Sequence, residues 1–426
     1  MTLHTPGRRP HVVLASRVYS PEPVAAAFRE QALVHALASH GCDVTVLTTS
    51  VPGAPVQIAE ARGSHPVEPL ADTDPDMSRA AAGTGGSARG TVRTEGTVRV
   101  RRLPAKRDHQ GQVRGYVSYL SFDLPLALRL LTIRHVDAII AEPPPTTGTV
   151  VRVLARLRRV PYTFYAADVW SDATDSVEGV PPIIRAVVRG AEVAVWRHAA
   201  RVLTISPGVQ HRVQELVGPR GKLAMVGNGI DTTTFTPDGP DAGETGPYLV
   251  YAGTVSEWQG ASVFVDAFAR VRRQRPDARL LFFSEGTGRD DLEQQVRAQG
   301  IEGIEFRDKI PPARVARFLR GARAGLSSIT PGQGYEFALP TKIYAATATG
   351  TPIIHAGTGA AHDRIAEAGL GWACQYDAED VARAMLAAID AADAPSSAHL
   401  RRWTLENASL AGCADKAARE VLETLH

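Results

Sequence analysis

The feature that most constrains this chain is a rhythm. Short runs of β-branched and apolar residues alternate with longer helical stretches almost from end to end. Residues 11–16 (HVVLAS) predict a strand, 22–40 an amphipathic helix closed by Gly41, and 43–48 (DVTVLT) the next strand. Further strands are expected near 97–103, 136–141, 161–166, 201–206 and 223–226, with helices near 113–132, 147–158, 182–199 and 207–216. Strands of this kind, separated by helices, belong in a parallel sheet covered on both faces. The rhythm breaks at 237–247 (PDGPDAGETGP), which has the composition of a linker, and then restarts. The second block predicts strands at 248–252, 279–283, 303–306, 324–328 and 351–355. Its helices are expected at 261–274, 289–299, 312–321, 341–349, 362–368, 378–392 and 397–425. The expectation is an α/β chain of two doubly wound domains, 1–236 and 248–395. A helical tail, 396–426, is read as packing back on the first.

A second break, 51–95, is rich in Gly, Ala, Pro and Ser and reads as a long loop, either decoration or a lid over an acceptor. Its acidic run at 72–76 (DTDPD) is read as solvated rather than metal-binding. The three cysteines, Cys42, Cys374 and Cys413, lie too far apart for a disulfide framework or a zinc site. No apolar run approaches the length of a membrane span, and the six-residue run near the start is no signal peptide, so a cytoplasmic protein is expected. Net charge is +2, but 1–236 carries +7 and 237–426 carries −5. That asymmetry suits an anionic acceptor or surface, whereas a nucleic-acid binder would be more basic and carry a recognisable module.

Local motifs narrow the class. YSPEP (19–23) follows the first strand, and QALVHALASHGCDVTVLTT (31–49) runs from helix into strand. VLTISPG (202–208) and GNGID (227–231), with Phe235 and Pro237 after it, close the first block. YAGT (251–254), LPTKIY (339–344) and GTPII (350–354) punctuate the second. In this order and spacing, the set resembles the GT-B retaining glycosyltransferases of family 4 over about 10–425, the 51–95 insert excepted. The resemblance implies two facing Rossmann-like domains with a cleft between them. It also implies a nucleotide-diphosphate sugar held mainly by the C-terminal domain, a small-molecule acceptor held mainly by the N-terminal one, and neither metal nor cofactor beyond the co-substrate.

Elementary chemistry gives the individual residues roles consistent with that. Ligands of doubly wound sheets sit beyond the carboxyl ends of the strands, and a diphosphate suits a helix N-terminus. The helix expected at 341 is the candidate, with Leu339 and Thr341 at its start, Lys342 as a point charge, and Gly332 and Gly334 allowing close backbone approach. Glu336 would orient the sugar and stabilise a developing oxocarbenium ion. Asp168 and Trp170 (ADVW) follow the 161–166 strand and are read as lining the site, with Asp168 as a second catalytic candidate. Tyr19, Glu22, Pro145, Thr146 and Asn228 are assigned to the acceptor side.

The sequence also departs from the family pattern. An Arg and a Lys that commonly grip the pyrophosphate fall at Thr254 and Gln259, beside Gly253. The glutamate expected on the ribose falls at Ala345. The residue before Asp168 is Ala167 rather than His or Arg, and the glycine loop after the first strand is replaced by Val24-Ala-Ala26. Ser256, Trp258, Arg289, Lys309 and Lys342 are the residues left to rebuild the donor grip. Such changes suit an unusual sugar or acceptor, as in natural-product assembly, with S-glycosylation of a small thiol as a special case. Two other readings stay open. One is a membrane-surface transferase of polysaccharide or glycolipid assembly, although the basic helical run 152–159 (RVLARLRR) is read first as an ordinary exposed face. The other is a catalytically degenerate scaffold that binds a partner.

Overall fold

A computed structural model describes residues 8–22, 24–51, 57–60, 95–107, 113, 115–175, 181–219, 222–286 and 288–425. Contacts divide the chain into two compact units. The first comprises Met1–Thr204, Val213–Ala224 and Ala414–His426; the second comprises Ile205–Arg212 and Met225–Cys413.

The first unit is built on strands β1 (His11–Ala15), β2 (Asp43–Thr49), β3 (Gln57–Glu60), β4 (Val98–Leu103), β5 (Ala138–Ala141), β6 (Tyr162–Ala166), β7 (Arg201–Thr204) and β8 (Leu223–Met225). Their order is β3-β4-β2-β1-β5-β6-β7-β8. Val12 pairs with Val44 on one side and Ala138 on the other, so the middle strands are apolar on both faces and fully buried. The second unit holds β9 (Tyr248–Thr254), β10 (Arg279–Glu285), β11 (Ile304–Arg307), β12 (Ala324–Ser328), β13 (Ile353–Ala356) and β14 (Gly371–Cys374). These run parallel in the order β11-β10-β9-β12-β13-β14. Two parallel-sheet α/β domains are therefore what the rhythm produces.

Several expectations need correction. Gln57–Glu60 is not loop: it pairs antiparallel with β4. The rest of the 51–95 insert, with its acidic run, lies largely outside the described residues. The GWAC strand β14 escaped notice because it has no β-branched residue; it pairs with β13 in register from Ile353↔Gly371. The short helix Trp170–Asp175 was also missed, and buried Glu192 accepts from its Trp170 and Ser171 N–H groups at 2.8 and 3.0 Å.

The first compact unit does not run to 236, because Met225 onward belongs to the second. Ile230 N donates to Ala408 O, and Leu410 N donates to Ile230 O, both at 2.9 Å. Gly229 is required there, since a Cβ would stand 2.6 Å from Ala408 O. The same bonds interrupt the single helix expected over 397–425, leaving Ser397–Asn407 and Leu410–Glu423. Ser397–Asn407 stays with the second unit, where Thr404 Oγ1 donates to Thr347 Oγ1 at 2.7 Å. Only Ala414–His426 joins the first, through Asp415 to His40 (2.7 Å) and Glu420 and Glu423 to Arg201 (2.9 and 3.0 Å).

His355, on β13, has no exposed surface, and burial lowers its pKa to about 4. The unfolded chain binds its proton near pH 6.5 while the folded one refuses it. Stability should therefore be lost as pH falls from about 6.5 towards 4, by about 3 kcal/mol from this group. Calorimetric melts of wild type and His355→Gln across that range check it. The variant must show the shallower loss.

Candidate functional site

Each sheet reverses its winding direction once: between β1 and β5 in the first unit, and between β9 and β12 in the second. Ligands of such sheets sit beyond the strand carboxyl ends at that point.

In the second unit, β9 ends at Gly253 and Thr254, followed by a tight turn, Glu257–Gln259. The end of β12 clamps that turn: Ser328 donates to Gln259 O, Thr330 N to Trp258 O at 2.9 Å and Thr330 Oγ1 to Glu257 O at 3.1 Å. Gln259 is thereby buried. Its amide satisfies its neighbours when the nitrogen donates to Thr254 O and the oxygen faces Lys342 Nζ at 3.1 Å. Lys342 itself lies 4.8 Å from the Tyr251 ring centroid and against Gly253, where a Cβ would meet its Cε at 2.9 Å. Among the described residues no carboxylate pairs with it. Desolvation lowers its pKa to about 8.

Lys342 opens the helix Thr341–Ala348, which has no side-chain cap and no acidic residue in its first turn. Uncapped N–H groups and a partly desolvated cation are both features that favour a negative charge. The other candidate helix start differs. Arg289–Gln299 carries Asp290 and Asp291 in its first turn, and Arg289 is engaged by Glu293 (2.8 Å), Asp308 (3.0 Å) and Ser284 O (2.9 Å). Lys309 is likewise paired with Glu285 at 2.6 Å. Of the cations left to rebuild the donor grip, Lys342 is the one whose charge is uncompensated.

The loop between β12 and this helix holds the remaining donor-side candidates. Gly332 and Gly334 adopt φ of +78° and +76°, but a Cβ on either would meet nothing within 4 Å. They are needed for left-handed backbone here, not for close packing. Glu336 closes the turn by accepting from Gly332 N at 2.5 Å, and its carbonyl accepts from Ala360 N at 2.8 Å. Trp258 stacks on Tyr335 with ring centroids 4.8 Å apart. Leu339 is partly buried, Thr254 is exposed and Ser256 is partly buried beside Gln259.

The first unit gathers charge at its own switch point. Arg29 Nη2 meets Glu142 at 2.8 Å, Ser16 Oγ donates to Glu30 at 2.8 Å, and both glutamates are buried. Burial, reinforced by the Glu142 charge, raises the Glu30 pKa well above the usual carboxylate range, and burial also raises that of Glu142, against the pull of its Arg29 partner. Buried Arg17 stacks 4.0 Å over Tyr119 and lies 5.8 Å from the Trp170 ring. Asp168 keeps exposed surface, yet desolvation of its carboxyl raises its pKa against the pull of Arg29; Pro145 starts the helix Pro145–Arg158 and Thr146 follows it, partly buried. Tyr19 is buried, and Glu22 is paired with Arg107 at 2.9 Å. Asn228 lies in the second unit, where its Oδ1 accepts from Gly229 N at 3.0 Å.

Sequence reasoning missed Arg17, Arg29, Glu30 and Glu142. One signal was available: Glu30 falls on the buried stripe of its helix with Ala27, Leu33, Val34 and Leu37. No cluster of three His, Cys, Asp or Glu that could hold a metal is present among the described residues.

Two family profiles match side by side: a glycosyl transferase 4-like domain over 24–229 and glycosyl transferases group 1 over 246–391. The chain belongs to the family 4 GT-B glycosyltransferases. A D-inositol 3-phosphate glycosyltransferase of Jonesia denitrificans is 27% identical over 200 residues, spanning 42% of this chain and 46% of that relative. The chain thus matches about half the length of that curated relative. Sucrose-phosphate synthase of Thermosynechococcus elongatus superposes with a TM-score of 0.67 at 17% identity, over 96% of this chain and 98% of that one. Anabaena HepE in complex with UDP and glucose gives 0.63 at 14% identity, over 97% and 99%. A trehalose 6-phosphate synthase of Burkholderia multivorans gives 0.63 at 12%, over 98% and 99%. At these identities the structural likeness concerns the fold alone.

Proposed function

We propose that the protein transfers a sugar from a nucleoside-diphosphate sugar to a small-molecule acceptor, with retention at the anomeric carbon and without a metal ion. The observation that carries the donor assignment is Lys342: a partly desolvated cation with an amide and a ring for company, at an uncapped, carboxylate-free helix start on the β9–β12 switch point. A diphosphate supplies the missing counter-charge. The HepE complexes with UDP and UDP-glucose support a nucleotide in this fold.

In this reading the acceptor attacks from the leaving-group face, and the departing phosphate helps to take its proton. Lys342 and the first N–H groups of Thr341–Ala348 stabilise the charge developing on the diphosphate. Glu336 orients the sugar once its turn opens to the donor, and Asp168 with Trp170 faces the acceptor. The departures at Thr254, Gln259 and Ala345 support a donor or acceptor outside the common ones, as in natural-product assembly.

A thermal-shift panel of UDP, GDP, dTDP and ADP, with and without Mg²⁺, tests the donor assignment. A nucleotide at ~100 times its dissociation constant should stabilise the second unit by ~2.7 kcal/mol. A shift that needs Mg²⁺ would overturn the metal-free part. No shift by any of the four would favour a scaffold without turnover. Product NMR then reads retention from the anomeric coupling.

A further inference from the structure

The first unit carries an unusual amount of large apolar side chain on its outside. Along the helix Tyr116–Thr132, Leu120, Leu124, Leu128 and Leu131 recur at helical spacing, and each is 47–68% exposed. The opposite stripe of the same helix, Phe122, Leu126 and Leu130, fills the core, so this helix is apolar on two faces. The helix Pro145–Arg158 touches it and also touches Pro182–His198. Those two helices carry Leu157 and Val187, 67% and 65% exposed. Scattered exposed apolar residues are ordinary, whereas three adjacent helices that all expose large aliphatic side chains mark an interaction face.

The charges on these helices are of one sign. Their only carboxylates, Asp123 and Glu192, are buried. Arg156 and Arg159 are exposed beside Leu157, and Arg129 is partly exposed between Leu128 and Leu131. Arg158 donates to the carbonyls of Leu130, Leu131 and Ile133 at 2.7–3.1 Å, tying two of the helices together.

We propose that this face docks on an anionic phospholipid bilayer. The leucines enter the boundary between headgroups and acyl chains, and the arginines meet lipid phosphates. A second copy of the chain is disfavoured by the same charges, because a two-fold contact would press one arginine rim against another. Docking of this kind requires no membrane span, and no helix among the described residues is long and apolar enough to be one. It is independent of the transfer reaction.

Co-sedimentation of the full chain with phosphatidylcholine vesicles, with and without about one-third phosphatidylglycerol, reads the proposal directly. Wild type is expected to pellet with the anionic vesicles. Leu124→Asp/Leu128→Asp should reduce that binding by at least ~10-fold. Arg156→Gln/Arg159→Gln should remove the preference for anionic lipid. Melting curves of each variant show whether the fold is kept, which is expected at exposed positions. Wild type left in the supernatant, or aspartate variants that pellet like wild type, would overturn the proposal. So would light scattering showing a dimer that the aspartate variants dissociate, since a copy would then own the face.

Discussion

Lys342→Met is expected to weaken binding of the donor nucleotide by roughly 10- to 100-fold, the loss of one charge-assisted contact in a sheltered site. The same substitution should stabilise the ligand-free protein, because a desolvated ammonium is removed. The pH dependence separates the two effects. Burial lowers the Lys342 pKa to about 8, below its unfolded value of 10.5. The unfolded chain therefore binds the extra proton between those values, and the ligand-free wild type should gain stability as pH rises through them. Nucleotide affinity should move the other way, falling above about pH 8 as the cation is lost, since the terminal phosphate is fully ionised well below that. Titration calorimetry at a series of pH values checks both arms. A wild-type affinity that stays flat across pH 8, or a variant that binds as tightly, would remove Lys342 from the donor site.

Arg29→Leu is expected to be the most damaging single change in the first unit. It strips the partner from Glu142 and leaves a buried carboxylate beside Glu30, a change that typically costs about 3–5 kcal/mol. For a unit of this size that lowers melting by roughly 10 °C. Arg29→Leu/Glu142→Leu should recover most of the loss, because it removes both members of the pair and the Glu142 charge that Glu30 faces. Calorimetry resolves the outcome if the two units melt separately, and nucleotide binding to the second unit serves as the control. A double variant no better than the single one would mean that packing of Arg29 over the Tyr165 ring, not charge, holds this region.

The sequence was most informative where a physical rule is local. Apolar runs interrupted by helical stretches led to both parallel sheets, and the order of short motifs led to the family. Pro340 and Thr341 marked a helix start that the structure keeps, with Pro340 as the residue just before it. What stayed hidden depends on long-range contact. Nothing local in GWAC reports that β13 has a free edge. Nothing near residue 408 reports that Ile230 will take its backbone bonds. The donor-side cations divided for the same reason: Arg289, Lys309 and Lys342 look alike in sequence, yet carboxylates at Glu293, Asp308 and Glu285 engage the first two. Charge in a chain is a count, whereas charge in a site is what remains after neighbours are paired.

The helix Leu410–Glu423 begins in one compact unit and ends in the other. The protein is therefore not two beads on a string that could be cut at 237–247 and used separately. A fragment ending there keeps Arg201 and His40 but loses Glu420 and Glu423, which pair with the first, and Asp415, which hydrogen-bonds the second. A chimera made by grafting a foreign second half would need to bring back the native final turns as well. Modularity in this chain belongs to three dimensions rather than to sequence, and its two compact units can be exchanged between relatives only as interleaved pieces.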